Sequence, residues 1–111
     1  MECTLRSEKG MDILELSGEI DLHQSPELRE KILASLKRKS ALLLDLAQVS
    51  YIDSSGIASL VEGFQTARDS GLRFALLRVS KPVAQVLSLT RLDNIFPTYS
   101  SLEAFQANSK V

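Results

Sequence analysis

The chain holds one cysteine, one histidine and no tryptophan in 111 residues. A lone Cys3 cannot close an internal disulfide and has no metal-ligand companion, which fits a reducing compartment. Three prolines and five glycines are too few for a collagen-like or low-complexity chain, and no repeat or linker interrupts it. No apolar run approaches the ~20 residues that cross a bilayer. The segment Met1 to Arg6 also lacks the apolar stretch of a secretory leader, so a cytoplasmic protein is expected. Neither sign of charge dominates. Thirteen basic against fourteen acidic residues leave a net charge of −1, which gives no reason to expect a nucleic-acid or membrane surface.

What is present is an ordinary globular composition, 44% hydrophobic and 24% charged, read as one domain over residues 1–111. A chain of this length buries about two thirds of its unfolded surface in a single core. Cys3, Leu5 and Ser7 alternate with polar residues as an edge strand. Glu8-Lys9-Gly10 turns the chain into a second strand containing Met11, Ile13 and Leu16, closed by Leu16-Ser17-Gly18. Ser25-Pro26-Glu27 reads as a helix start with serine as N-cap, and Leu28, Ile32, Leu33 and Leu36 form its apolar face. Ala41 to Leu46 is the continuous apolar run of a strand covered on both faces.

A second helix carries Ile57, Leu60, Val61, Phe64 and Ala67 and ends at Ser70-Gly71. A strand over Leu72 to Val79 follows, then a helix from Ser80-Lys81-Pro82 and a short strand within Ile95 to Tyr99. Ser100-Ser101-Leu102-Glu103 is a capping-box pattern opening a last helix. Strands separated by helices imply right-handed crossovers and an α/β fold, with a largely parallel sheet behind an N-terminal hairpin.

Catalytic groups do not converge. His23 reads as a solvated loop histidine, and no nucleophile–base–orienter set can be assembled around it. No glycine-rich phosphate loop or His/Cys metal spacing occurs. Asp45 and Asp53 suggest paired carboxylates or a magnesium site and, with the helix N-terminus, are the only support for a small hydrolase or nucleotide-binding enzyme. Against that, Asp45 reads as a strand-terminal turn former and Asp53 as a helix cap. Gly56 and Gly63 both fall inside the second helix, each at a cost of about 1 kcal/mol relative to alanine. Gly63 is expected to serve packing. Gly56 is expected to leave room for a partner's backbone or a phosphate, so that alanine there would hold or raise stability.

The richest stretch is Val49-Ser50-Tyr51-Ile52-Asp53-Ser54-Ser55-Gly56-Ile57. It puts two hydroxyls and a carboxylate at a helix start, where unpaired backbone N–H groups favour an anion and tolerate a phosphate on serine. Asp53-Ser54-Ser55-Gly56 after a strand resembles the phosphorylation motif of bacterial anti-sigma factor antagonists, which belong to the STAS domains (sulfate transporter and anti-sigma antagonist). Gly18-Glu19-Ile20-Asp21, followed by the helix Pro26 to Leu36, is similar to a second loop of that family. The order of elements matches from about Leu5 to Phe105.

That resemblance implies a switch without enzymatic activity, cofactor or metal, on a small mixed sheet flanked by helices. Unphosphorylated, the domain would bind an anti-sigma factor that is also an ATP-dependent serine kinase, and so free a sigma factor. The kinase would phosphorylate Ser54, the complex would part, and a serine phosphatase would reset it. Glu19, Asp21, Asp53, Ser55 and Gly56 are expected to form the partner surface of a monomer or weak dimer, since both loops leave the same end of the sheet. Helical geometry pulls the other way on the acceptor: at 100° per residue Ser55 lies opposite the core and Ser54 on the flank. The rival reading keeps the fold and drops the switch, as a STAS subunit docked constitutively on a transporter or in a signalling scaffold.

Overall fold

The computed structural model describes residues 1–108. Two left-handed residues, Lys9 (φ 53°) and Gly10 (φ 77°), make the tight turn between β1 (Glu2–Glu8) and β2 (Met11–Ile20). The pairing is antiparallel, with Glu8 opposite Met11, as a two-residue turn of this hand requires. From β2 onward every neighbouring pair is parallel. β3 (Ala41–Ile52), β4 (Phe74–Leu77) and β5 (Thr98–Tyr99) follow in the order β1-β2-β3-β4-β5. Parallel neighbours need a crossover, and each has one helix: α1 (Ser25–Lys37), α2 (Ser54–Asp69) and α3 (Lys81–Leu89).

These three helices cover one face. Leu28, Ile32, Leu60, Val83 and Leu87 share a core with Leu14, Leu42, Leu44, Leu46 and Leu76. The opposite face carries a second, smaller core in which Phe105 of α4 (Leu102–Ala107) meets Ile13, Leu43, Ala75 and Leu77. Alternate residues of β3 therefore point into two different cores, which is why Ala41 to Leu46 reads as an unbroken apolar run. Gly63 lets α2 sit close: a Cβ there would lie 2.6 Å from Ile32 Cγ2 and 3.0 Å from Phe74 Cε2. No helix among the described residues is long and apolar enough to cross a membrane.

Several expected boundaries move. β2 does not close at Gly18 but continues to Ile20 through irregularities between Glu15 and Ser17 and between Gly18 and Glu19. Gly18, at φ 84°, supports the bend with a conformation that side chains rarely adopt. β3 runs past Leu46 to Ile52. Ala47, Gln48 and Ser50 break the apolar signal because one face of the strand is open there, while Val49 and Ile52 stay buried. Gln24, not Ser25, caps α1; Ser25 is buried as its first residue. The last strand is only two residues long, since Pro97 has no N–H with which to extend the ladder backwards. Ser101 Oγ accepts the Ala104 N–H at 3.0 Å, so α4 starts one residue later than a box on Ser100 and Glu103 would place it.

Asp45 is corrected as well. It lies within β3, buried on the α4 face, and pairs with Arg78 at 2.6 Å between Oδ2 and Nη2. A comparable bond ties β2 to the end of α1. The buried Asp12 carboxylate accepts from Arg38 Nη2 at 2.6 Å and from Ser7 Oγ at 2.8 Å. Burial pushes this carboxyl up, but the hydrogen bonds from Arg38, Ser7 and Ser35 outweigh it and hold it below the ordinary range. A group depressed in the folded state adds stability above its unfolded pKa, and that stability is lost as pH falls through the folded value. Thermal melts should therefore fall more steeply below about pH 4 for the native chain than for Asp12→Asn. Parallel acid-limb slopes would show that Asp12 adds no pH-linked stability.

Candidate functional site

The parallel register brings two chain segments together at one end of the sheet. Ile20 pairs with Ile52, and the Asp53 N–H donates to the Ile20 carbonyl at 3.2 Å. β3 then passes into α2 through Asp53 alone, whose extended backbone (φ −108°, ψ −173°) makes it the N-cap. Its Oδ1 accepts the backbone N–H of Ser55 at 3.0 Å, that of Gly56 at 3.2 Å and the Ser55 hydroxyl at 2.6 Å. With the Ser55 hydroxyl as the leading cause, these donors hold the Asp53 carboxyl below the usual range, so it is ionised at neutral pH. The helix-cap reading of Asp53 holds, and its backbone N–H ties the cap to the end of β2.

The cap reverses the expectation from helical geometry. Ser54 is the exposed residue of the pair, whereas Ser55 is half-buried with its hydroxyl committed to Asp53. Among the described residues no hydrogen bond occupies Ser54 Oγ. Gly56 is corrected too. It faces the core, and a Cβ there would come within 2.7 Å of Ile52 Cγ1 and 2.9 Å of Ile20 Cγ2. Its missing side chain lets α2 press on the ends of β2 and β3 and leaves no room for a partner.

On the other loop, the Asp21 carbonyl accepts the N–H groups of Gln24 and Ser25 at 3.0 and 2.9 Å. Its carboxylate accepts the His23 N–H at 2.9 Å, so Asp21 shapes the turn into α1 while remaining half-exposed. Glu19, exposed at the end of β2, stands opposite Tyr51 on β3. The structure thus gathers Glu19, Asp21, Asp53, Ser54 and Ser55 at one end and turns Gly56 inward. Asp45 is not part of this end: it lies eight residues before Asp53, on the α4 face, held by Arg78. Among the described residues no group of three His, Cys, Asp or Glu could hold a metal ion.

Two apolar side chains missed by the sequence reasoning complete the surface. Leu22 is 70% exposed beside Asp21, and Tyr51 is 48% exposed beside Glu19. A leucine inside the polar turn Asp21 to Gln24 was the available signal, because such a turn has no structural need for it. Large exposed apolar residues flanked by carboxylates mark a contact surface better than a catalytic cleft.

Comparison with known proteins agrees with this fold. The family model for the STAS domain matches residues 3–105, and the chain belongs to that family. It is similar to the anti-sigma-B factor antagonist of Bacillus subtilis (strain 168), 31% identical over 80 residues, 72% of this chain and 73% of that protein. The anti-sigma F factor antagonist of Paenibacillus polymyxa is 26% identical over 103 residues, 91% of this chain and 88% of its own. Among solved structures, the anti-sigma factor antagonist SpoIIAA, a Bacillus cell fate determinant, shares the fold. Its unphosphorylated form gives a TM-score of 0.80 at 21% identity over 99% of both chains. Its phosphorylated form gives 0.74 at 20%, over 96% of this chain and 98% of that one.

The packing around Gly56 has a measurable consequence. Both atoms that a new methyl would strike belong to stiff, buried β-branched residues, Ile20 and Ile52. Overpacking of this kind costs about 1–3 kcal/mol, more than the ~1 kcal/mol that alanine gains in helix propensity. Gly56→Ala should lower the thermal midpoint. An unchanged or raised midpoint would mean that the isoleucines shift freely, and would return Gly56 to a role at the surface.

Proposed function

We propose that this protein is an anti-sigma factor antagonist whose docking surface is switched off by phosphorylation of Ser54. The observation that carries the proposal is the division of labour between the two serines. Ser54 presents a free hydroxyl on the first turn of α2, and Ser55 spends its own on Asp53. The relatives named as anti-sigma factor antagonists and the phosphorylated form of SpoIIAA support the reading. The partner is an anti-sigma factor that doubles as an ATP-dependent serine kinase, and a serine phosphatase restores the free hydroxyl. The chain itself acts by binding and not by catalysis.

In the unphosphorylated state Leu22 and Tyr51 supply apolar contact while Glu19, Asp21 and Asp53 supply negative charge. The partner surface is therefore expected to pair basic groups with an apolar recess. A phosphoserine adds about −1.5 to −2 charges. A thousandfold loss of affinity needs about 4 kcal/mol, and one like-charge contact at ~4 Å in an effective dielectric near 20 is worth about that. The bulk of the phosphate adds a steric cost. Exclusion at the interface suffices, and the domain need not change shape.

The test uses a purified anti-sigma factor with serine kinase activity from the same organism. Intact mass after incubation with ATP should show one phosphate on the native chain and none on Ser54→Ala. Ser54→Ala should hold the kinase persistently, and Ser54→Asp should bind it weakly. Phosphate on Ser55 alone would overturn the residue assignment, and stable docking with no phosphate at all would favour a constitutive scaffold subunit. Glu19→Arg should weaken docking at least tenfold while moving stability by under ~0.5 kcal/mol, the usual range for an exposed site. Full affinity in that variant would remove Glu19 from the surface.

A further inference from the structure

The strand β1 forms one edge of the sheet along its whole length. Its two-residue turn makes Glu8 and Met11 a hydrogen-bonded pair, so along an antiparallel ladder the backbone groups of Glu8, Arg6, Thr4 and Glu2 face β2. Those of Ser7, Leu5 and Cys3 face outward, and among the described residues no backbone bond beyond the sheet meets them. A row of unpaired N–H and C=O groups is a template for another strand. Beside that row Leu5 is 47% exposed, at the mouth of a shallow recess of about 170 Å³ that it shares with Leu14, Lys31 and Ala34.

We propose that this edge pairs with the β1 strand of a second copy, antiparallel, about a two-fold axis at Thr4. The sequence of the strand selects both the partner and the register. Centred on Thr4, Cys3 and Leu5 of one copy stand opposite Leu5 and Cys3 of the other, and these are the residues whose backbone groups point outward. Glu2 then faces Arg6 of the second copy twice, at non-hydrogen-bonded positions where side chains approach to about 4.5–5.5 Å. Arg6 keeps only long contacts within its own chain, 3.5 Å to Glu8 and 3.8 Å to Glu15. Centring on Leu5 instead preserves the backbone pairing but sets Glu2 against Glu8 twice, and like charges directly opposite are destabilising. Charged residues normally guard an edge from pairing. Here the same charges favour the register centred on Thr4, the one that sets Glu2 against Arg6.

The joined sheet covers Leu5 with Cys3 of the other copy and leaves the Ser54 surface open, because the two antiparallel copies point those ends in opposite directions. A single strand-to-strand contact is smaller than the ~1,200 Å² of a stable interface, so the dimer is weak and concentration-dependent.

Sedimentation velocity across a concentration series should show a reversible monomer–dimer equilibrium for the native chain. Glu2→Arg and Arg6→Glu should each shift it at least tenfold towards monomer, and the double swap Glu2→Arg/Arg6→Glu should restore it. In a Cys3→Ser background, Thr4→Cys should form a disulfide-linked dimer under mild oxidation and Leu5→Cys should not. Circular dichroism confirms that each variant is folded. A chain that stays monomeric at its solubility limit, a swap that fails to rescue, or cross-linking at Leu5 in preference to Thr4 would each overturn the proposal.

Discussion

The parallel pairing of β2 with β3 is the constraint on which the rest of the site depends. It carries both strands to the same end of the sheet and stops them together at Ile20 and Ile52. After Ile52 only Asp53 intervenes before α2 begins at Ser54. The Asp53 N–H closes onto the Ile20 carbonyl, so the start of α2 is tied to the end of β2. A slip of one residue would turn Ile20 and Ile52 out of the core and dissolve the surface along with the packing. Gly56 enforces the same geometry from the helix side, since α2 can approach the two isoleucines only where no Cβ intervenes. The exposed serine is thus displayed by a rigid corner and not by a flexible loop.

How much of this could be read from the chain differs by element. Every helix and strand was legible, the helices from an apolar period of one face and the central strand from a continuous apolar run shared between two cores. The helix start at Asp53 was legible as well, since an acid followed by two serines has few other uses. Boundaries failed where burial changed partway along an element. β3 lost its apolar signal after Leu46 although it ran to Ile52, because one of its faces opens to solvent there. Asp45 misled for the opposite reason: a carboxylate inside a strand is tolerated when an arginine such as Arg78 covers it, and that partner lies 33 residues away in sequence. Gly56 misled because a glycine in a first turn signals closeness without saying to what. Three-dimensional packing answers that question, and here the answer is the protein's own core.

Under the proposed switch, the same geometry would let a phosphate on Ser54 control binding while leaving the fold alone. A helix N-terminus ordinarily welcomes an anion, and a phosphate on Ser54 would be expected to stabilise α2 by capping it. That role is already filled: Asp53 holds the Ser55 and Gly56 N–H groups through its own ionised carboxylate. A phosphate at Ser54 therefore finds the strongest donors taken and a fixed negative charge beside it. It gains little from the helix and stays in solvent, since Ser54 is exposed. Its charge is felt mainly by whatever approaches the corner. Because Asp53 already satisfies the helix, the fold would have little stake in the proposed modification, and most of the free energy that the phosphate carries would be available at the interface.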